Sequence, residues 1–398
     1  MITDPTAVFF VLAGVVAIAI GLERHTRVFR ALGSALVGIL LGMLLSNVGV
    51  LPGASPAYDF LGGPAVYAGI ILILLTVDVR SIVKAGPTML AAFGVGAVGS
   101  AVGASVSAIL LADAIGPETW KLAGQFTATY TGGGVNFAAV GAALETSGEL
   151  FSAGIAADVM MTAIWMATCL TVPVVFAGGV AWRERGARAG REPSVAPADP
   201  TAYVIEDDAE ASAGLHRRLF ESLGEVRLHD LALMAVIVLG TLGASDWLGG
   251  VLAPIPSVLF LTTIALMLAQ IPAVRALRGT GVMGNYLVLI FLASNGAMSV
   301  LANMVVIGPP IVYFAAITVG VHGVIVFGVG RLVGLDLKTL AVASQANVGG
   351  PASAMALATA RGYTDRLLPG VAVGLLGYAA GNYAGFAVAS GIRGVIGG

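Results

Sequence analysis

Apolar residues in this chain come in long runs, and the alternating polar-in pattern of a membrane β-barrel is absent. Twelve runs can be drawn. The first six lie at about 6–22, 31–48, 64–83, 87–112, 119–144 and 150–181. The second six lie at about 228–245, 256–270, 284–304, 309–333, 338–360 and 367–392. Each is near the ~20 residues that carry a helix across a bilayer. One sizeable hydrophilic stretch separates six runs from six. It carries Arg183-Glu184-Arg185, Pro193, Glu206-Asp207-Asp208 and Arg217-Arg218, a composition that predicts a flexible linker or a short surface helix. The chain thus divides into a first membrane repeat at 1–182, a linker at 183–227 and a second membrane repeat at 228–398.

Two runs contain a break. The first, at 127–136, reads Thr127-Ala128-Thr129-Tyr130-Thr131-Gly132-Gly133-Gly134-Val135-Asn136. The second, at 344–353, reads Ser344-Gln345-Ala346-Asn347-Val348-Gly349-Gly350-Pro351-Ala352-Ser353. A shift of 216 lays one on the other without a gap, so that Gly133 meets Gly349, Gly134 meets Gly350 and Gly154 meets Gly370. Small residues match easily in a chain with 55 glycines. Polar residues around a glycine break, twice, at matched places in two apolar halves, are a stronger sign of an internal repeat.

Composition fixes the class. Hydrophobic residues make up 58%, charged residues 11%, and the mean hydropathy is +0.94, whereas a soluble domain carries roughly 25% charged residues. The fold class expected is an all-α integral membrane protein whose main partner is the lipid bilayer. A net charge of -2 without a large basic cluster gives no sign of a nucleic-acid partner. The single cysteine, Cys169, cannot form a disulfide within the chain. The first residues lack the basic region of a signal peptide, so the first run is expected to be a retained helix. There is no phosphate-binding G-x-x-x-x-G-K-[ST], no H-E-x-x-H and no Cys/His metal spacing. No enzyme activity and no cofactor is expected, with Na⁺ as a candidate coupling ion only.

Positive charge orients the runs. Arg24, Arg27 and Arg30, then Arg80 and Lys84, Arg183 to Arg191, Arg217-Arg218, Arg275 with Arg278, and Arg331 with Lys338 mark cytoplasmic loops. The N-terminus is then external, the linker cytoplasmic, and the location a cell (inner, cytoplasmic) membrane. Six full crossings in the first half would put the linker outside. Either the two broken runs are re-entrant hairpins, or they cross as broken helices and the 150–181 run hides an extra crossing. The first needs no extra length and is preferred on the residues alone.

Inside hydrocarbon an unpaired backbone group costs several kcal/mol, so a break survives only where protein or a polar cavity lines it. Half-helices starting near Val135 and Pro351 would aim free N–H groups into the break and favour an anion. Half-helices ending near Tyr130 and Ala346 would offer carbonyls, which suit a cation. Candidate solute-binding residues are Thr129, Tyr130, Thr131, Gly132, Gly133, Gly134 and Asn136 at the first break. Gln345, Asn347, Gly349, Gly350 and Ser353 are their counterparts at the second. The competing reading is close helix packing by small residues, which is preferred for Gly94, Gly96, Gly99 and Gly103. Asp158, after the first break, is the candidate for coupling-ion carrier, since an acid inside the membrane is a functional hypothesis by default. The shift places Gly374 opposite it. Secondary candidates are Asn382, His322 and Asp78, although Asp78 has pairing with Arg80 or capping as its simpler explanation. Glu145 and Glu149 read as loop charges.

At Tyr130-Thr131-Gly132-Gly133-Gly134-Val135-Asn136, with Asp158 and Trp165 following, the chain resembles the bacterial domain-of-unknown-function family 819. Leu74-Leu75-Thr76-Val77-Asp78-Val79-Arg80 and Ala346-Asn347-Val348-Gly349-Gly350-Pro351 fit the same family. The resemblance covers nearly the whole chain except the linker. It implies kinship with the cation/proton antiporter and anion transporter superfamily, alongside bile-acid and glutamate sodium symporters. That implies inverted repeats, a scaffold, a mobile core with paired broken helices, elevator-type alternating access and a homodimer. It also implies an ion-carrying acid after the first broken helix, matched by Asp158, and broken helices that cross the membrane. The expected function is a secondary active transporter of a small polar, anionic solute coupled to H⁺ or Na⁺. A monovalent cation/proton antiporter without organic substrate is the alternative, and a non-transporting membrane anchor or regulator is a third.

Overall fold

The computed structural model describes residues 2–80, 85–187, 225–253, 255–299 and 301–396. Most of the linker, with Arg217-Arg218, and Lys84 lie outside the described residues. Among these residues there is no strand, and 8 helices are long and apolar enough to cross a membrane.

The first half runs α1 (Pro5–His25), α2 (Arg27–Asn47), α3 (Pro56–Phe60), α4 (Val66–Leu74), α5 (Gly86–Ile115), α6 (Thr119–Gly132), α7 (Gly134–Ala143) and α8 (Gly148–Ala187). The second half runs α9 (Leu228–Val251), α10 (Ser257–Ala269), α11 (Pro272–Arg275), α12 (Thr280–Ala297), α13 (Leu301–Val324), α14 (Gly330–Leu332), α15 (Leu337–Ala360) and α16 (Thr364–Ile396). The third expected run, 64–83, is displaced towards the N-terminus. The Ser55 hydroxyl accepts from the Ala57 N–H at 3.3 Å and Pro56 opens α3, a capped start of the usual kind. A π turn at Leu61–Ala65 then carries Pro64, whose missing N–H an α-helix interior would not tolerate. In α2 the backbone leaves helical geometry at Gly33 (φ 76°, ψ 152°), and the Glu23 carboxylate accepts the Ser34 N–H at 3.0 Å where the helix restarts.

Both broken runs turn back on themselves. In the first, α6 and α7 meet at Gly133, whose φ of 93° suits glycine. Their far ends lie together: the Lys121 ammonium donates to the Glu145 carbonyl at 2.8 Å, and the Ser147 N–H donates to Glu118 at 3.0 Å. In the second, α15 reverses at Gly350 (φ 73°). Arg366 donates to the Thr339 hydroxyl at 3.2 Å and Lys338 lies over the Tyr363 ring, so residues before and after the break share one end. The hairpin arrangement is therefore the one present, and the crossing implied by the resemblance is not. Hairpin 1 (α6–α7) and hairpin 2 (α15) approach from opposite ends and touch at their tips. A Cβ on Gly133 would sit 3.4 Å from the Gly350 Cα, and one on Gly350 would sit 3.2 Å from the Gly132 carbonyl oxygen.

Contacts recur under the 216 shift. The Trp165 indole donates to the Ser344 hydroxyl at 2.9 Å. Their shifted counterparts, Gly381 and Ala128, also meet, a Cβ on Gly381 falling 2.8 Å from the Ala128 carbonyl. Gly69 and Gly284, one residue off that shift, face each other reciprocally. The hairpins, α5, α8, α13 and α16 form one packed body, and α1–α4 with α9, α10 and α12 form a frame beside it. A chain of phenyl rings, Phe314, Phe126, Phe137, Phe151 and Phe291, ties the two, with centroids 5.2 to 5.4 Å apart. Such aromatic pairs add roughly 0.5–1.5 kcal/mol each beyond burial. Cations segregate along the chain. Arg24, Arg80, Arg227, Arg275, Arg278, Arg331, Lys338, Arg361 and Arg366 lie at the end where hairpin 2 has its base, against Lys121 and Arg393 at the other.

Candidate functional site

The sequence places five glycines on α16 at helical spacing: Gly370, Gly374, Gly377, Gly381 and Gly385. Lacking side chains, they let both hairpins lie directly on this helix. Gly370 faces Val342 and Gly374 faces Pro351, both in hairpin 2. Gly377 faces Thr131 and Gly132, and Gly385 faces Gly124, all in hairpin 1. On the other side of the tips runs α8, whose Gly154 accommodates the Phe137 ring. One turn further along α8, Asp158 reaches the tips.

Asp158 is 6% exposed. Its carboxylate accepts from the Thr129 hydroxyl at 3.3 Å, and a Cβ on Gly134 would lie 3.8 Å from its Oδ2. A cavity of about 590 Å³ opens there, lined by Gly134 of hairpin 1, Val348, Gly349 and Ser353 of hairpin 2, and Asp158, Val159, Thr162, Ala163 and Met166 of α8. Gly33, at the α2 break, lines it from the frame. The start of α7 at Gly134 and the hairpin 2 residues Val348, Gly349 and Ser353 therefore stand beside one acid in one cavity. Gly33 and the α8 residues beyond Asp158 carry no signal in the sequence; only their helices' placement makes them lining residues.

The remaining candidates separate. Gly132, Gly133 and Gly350 form the tip contact. Asn136 is a structural clamp: its Nδ2 donates to the Gly377 carbonyl at 2.8 Å. Thr131 bonds back to the Thr127 carbonyl at 2.7 Å. Tyr130 is fully buried among rings, its carbonyl accepts from the Ser100 hydroxyl, and its own hydroxyl has no partner among the described residues. Gln345 and Asn347 are also fully buried, and none of their four amide atoms has a partner there. The Gln345 Nε2 and the Ser353 hydroxyl both lie beside Gly349, and of these two Ser353 lines the cavity. Asn347 faces the other way, against Gly96 and His322. His322 is bonded into the body, far from solvent. Asn382 donates to the Thr262 hydroxyl at 3.1 Å, on the side of α16 away from the cavity. Asp78 sits in the loop before 80, paired with Arg275 and accepting the Arg80 N–H at 3.0 Å; it does not join the site. Gly96, Gly99 and Gly103 let α5 lie against His322 and Thr318 of α13, whereas Gly94 has nothing nearby.

The family model for proteins of unknown function DUF819 matches residues 10–394. The chain belongs to this family. A similar protein is the uncharacterized membrane protein YjcL of Bacillus subtilis (strain 168), 29% identical over 382 residues, a match covering 93% of this chain and 92% of that protein. The family match spans both hairpins, α8 and α16, so the whole cavity lies inside it. This is a multi-pass membrane protein. Among the described residues, no group of three His, Cys, Asp or Glu side chains could hold a metal ion.

Proposed function

We propose that this chain is a secondary active transporter that moves a small polar, anionic solute in exchange for, or together with, H⁺ or Na⁺ bound at Asp158. The observation that carries this reading is the meeting of both hairpin tips and one buried acid in a single cavity. The helix start at Gly134 and the Ser353 hydroxyl supply donors for an anion. Asp158 opposes it: an anion ~5 Å from an ionised carboxylate is disfavoured by about 3 kcal/mol at an effective dielectric near 20. Binding H⁺ or Na⁺ at Asp158 removes that repulsion, and so ties solute to ion. A closed face related to the cavity by the 216 shift supports alternating access. The cavity's lining residues Asp158, Thr162 and Met166 have Gly374, Tyr378 and Asn382 as shifted counterparts. That second face is closed against α10 by the Asn382–Thr262 bond and by the Tyr383 and Thr263 hydroxyls at 2.6 Å. In an elevator-type cycle the hairpin body slides on the frame, these bonds break, and a second mouth opens.

A monovalent cation/proton antiporter is the second reading, favoured by Asp158 being the one carboxylate among the lining residues. Currents from proteoliposomes on a solid-supported membrane separate the two. Responses to Na⁺ or pH jumps alone point to the antiporter. Responses that require an organic anion from a metabolite panel point to the first reading. Asp158→Asn is expected to reduce the ion dependence at least about tenfold, the loss of ~1.4 kcal/mol of coupling. Unchanged ion dependence in this variant would remove Asp158 from the mechanism.

A further inference from the structure

His322 lies in α13, fully buried, and its ring is hydrogen-bonded on both sides. Nδ1 is 2.9 Å from the Gly96 carbonyl and 3.0 Å from the Ser100 hydroxyl, both on α5. Nε2 is 2.8 Å from the Ser344 hydroxyl on hairpin 2. The Trp165 indole of α8 donates to that same hydroxyl and meets the imidazole edge-on at 5.7 Å. The Ser100 hydroxyl in turn donates to the Tyr130 carbonyl of hairpin 1.

Counting protons favours one state of the ring. A carbonyl only accepts, so Nδ1 must carry hydrogen towards Gly96. An indole N–H only donates, so the Ser344 oxygen accepts from Trp165, and its own proton has Nε2 and the buried Cys169 sulfur as acceptors. The imidazole nitrogen is the stronger acceptor of the two, which leaves one proton on the ring. A second, on Nε2, would turn the Ser344 hydroxyl onto the sulfur, a weak acceptor, in a dry interior. The residues held are informative: Ser344 precedes Gln345, and Tyr130 follows Thr129, the donor to Asp158.

We propose that His322 is a positioning residue, kept as the neutral Nδ1–H tautomer, and not a carrier of the coupling proton. It fastens the first limbs of both hairpins to α5, α8 and α13, and so sets the tips that carry Gly134, Gly349 and Ser353 at the cavity. This rests on the reading of the cavity as the solute site, but its tests need no solute. The full-length protein, labelled with ¹⁵N-histidine in lipid nanodiscs and compared with His322→Gln to assign the ring, should show at neutral pH a protonated Nδ1 and a bare Nε2. A doubly protonated ring or an Nε2–H tautomer overturns the proposal. Separately, Ser353→Cys places a thiol in the cavity, apart from the buried Cys169. Its labelling rate with a small methanethiosulfonate should change by about threefold to tenfold in His322→Leu, the worth of one hydrogen bond, and stay near the parent in His322→Gln, which can still donate and accept. Equal rates in all three proteins overturn the positioning role. If Asp158→Asn leaves currents untouched while these two results hold, the transport reading fails and the role of His322 stands.

Discussion

The two hairpins are matched in sequence and in outline, yet their polar residues are spent differently. In hairpin 1 the Thr127 and Tyr130 hydroxyls have no partner among the described residues, but the Asn136 amide has one, the Gly377 carbonyl. Thr131 and Thr129 are bonded too, to the Thr127 carbonyl and to Asp158. In hairpin 2 Gln345 and Asn347, one and three residues past Ser344, are buried with none among the described residues. Buried polar groups are normally satisfied, because leaving one unpaired costs about 1–3 kcal/mol. The first hairpin uses its amide to hold its shape against α16. The second leaves its amides unpaired, as a reserve. The flanking helices repeat the contrast: α8 brings Asp158 to the tips, and α16 brings only Gly374.

The largest effect should come from filling the shared seam. Gly377→Val would drive a side chain into the Thr131 carbonyl and Gly132. The main chain there cannot give way, so destabilisation of about 3 kcal/mol or more is expected, overpacking at its upper end. Size-exclusion profiles and thermal melts in detergent would read it as little or no folded protein. A well-folded variant would mean that the hairpins are not pinned to α16. Next, Asn136→Ala should cost about 0.5–1.5 kcal/mol by removing its bond to the Gly377 carbonyl, whereas Gln345→Leu should cost almost nothing, since no bond is lost. Melting temperatures of the two variants test this directly. Equal losses would erase the distinction between a clamp and a reserve.

The smallest effect concerns the hairpin bases, where the two resemble each other again. Burial alone would raise Glu118, but the Ser147 N–H and Lys121 outweigh it and hold the carboxyl below the usual range. At Asp336, burial is likewise outweighed by the Thr339 hydroxyl and N–H and by Arg366. A carboxylate lowered in the folded state stabilises fully above its unfolded value and loses that contribution as the pH falls through the folded one. Melting temperature should therefore drop between about pH 5 and about pH 3, and the drop should shrink in Glu118→Gln and Asp336→Asn. An identical pH response in the double variant would show that these bases do not contribute.

Much of this was legible along the chain. Long apolar runs are a one-dimensional property, because a bilayer asks for length and low charge and little else. The glycine breaks and their shift of 216 are equally local, and charge counts alone favoured hairpins over crossings. Other features were not legible. Asp78 reads as an acid near apolar residues, and only the fold shows Arg275 beside it. Asn136 and Gln345 are both amides beside a glycine break, and nothing in their neighbours says that one is bonded and the other is not. Gly33, Thr162 and Met166 resemble dozens of other small or apolar membrane residues.

By itself the sequence determined that the chain is a helical membrane protein and where its long apolar runs are interrupted. These follow from composition, run length and backbone chemistry, which act locally. Tertiary structure alone decided that the tips of the two hairpins meet and that Asp158 stands beside both. It also decided that His322 is tied into the body instead of facing the cavity. Those outcomes depend on which helices lie side by side, and α16 settles that with glycines whose meaning appears only when two hairpins rest against them.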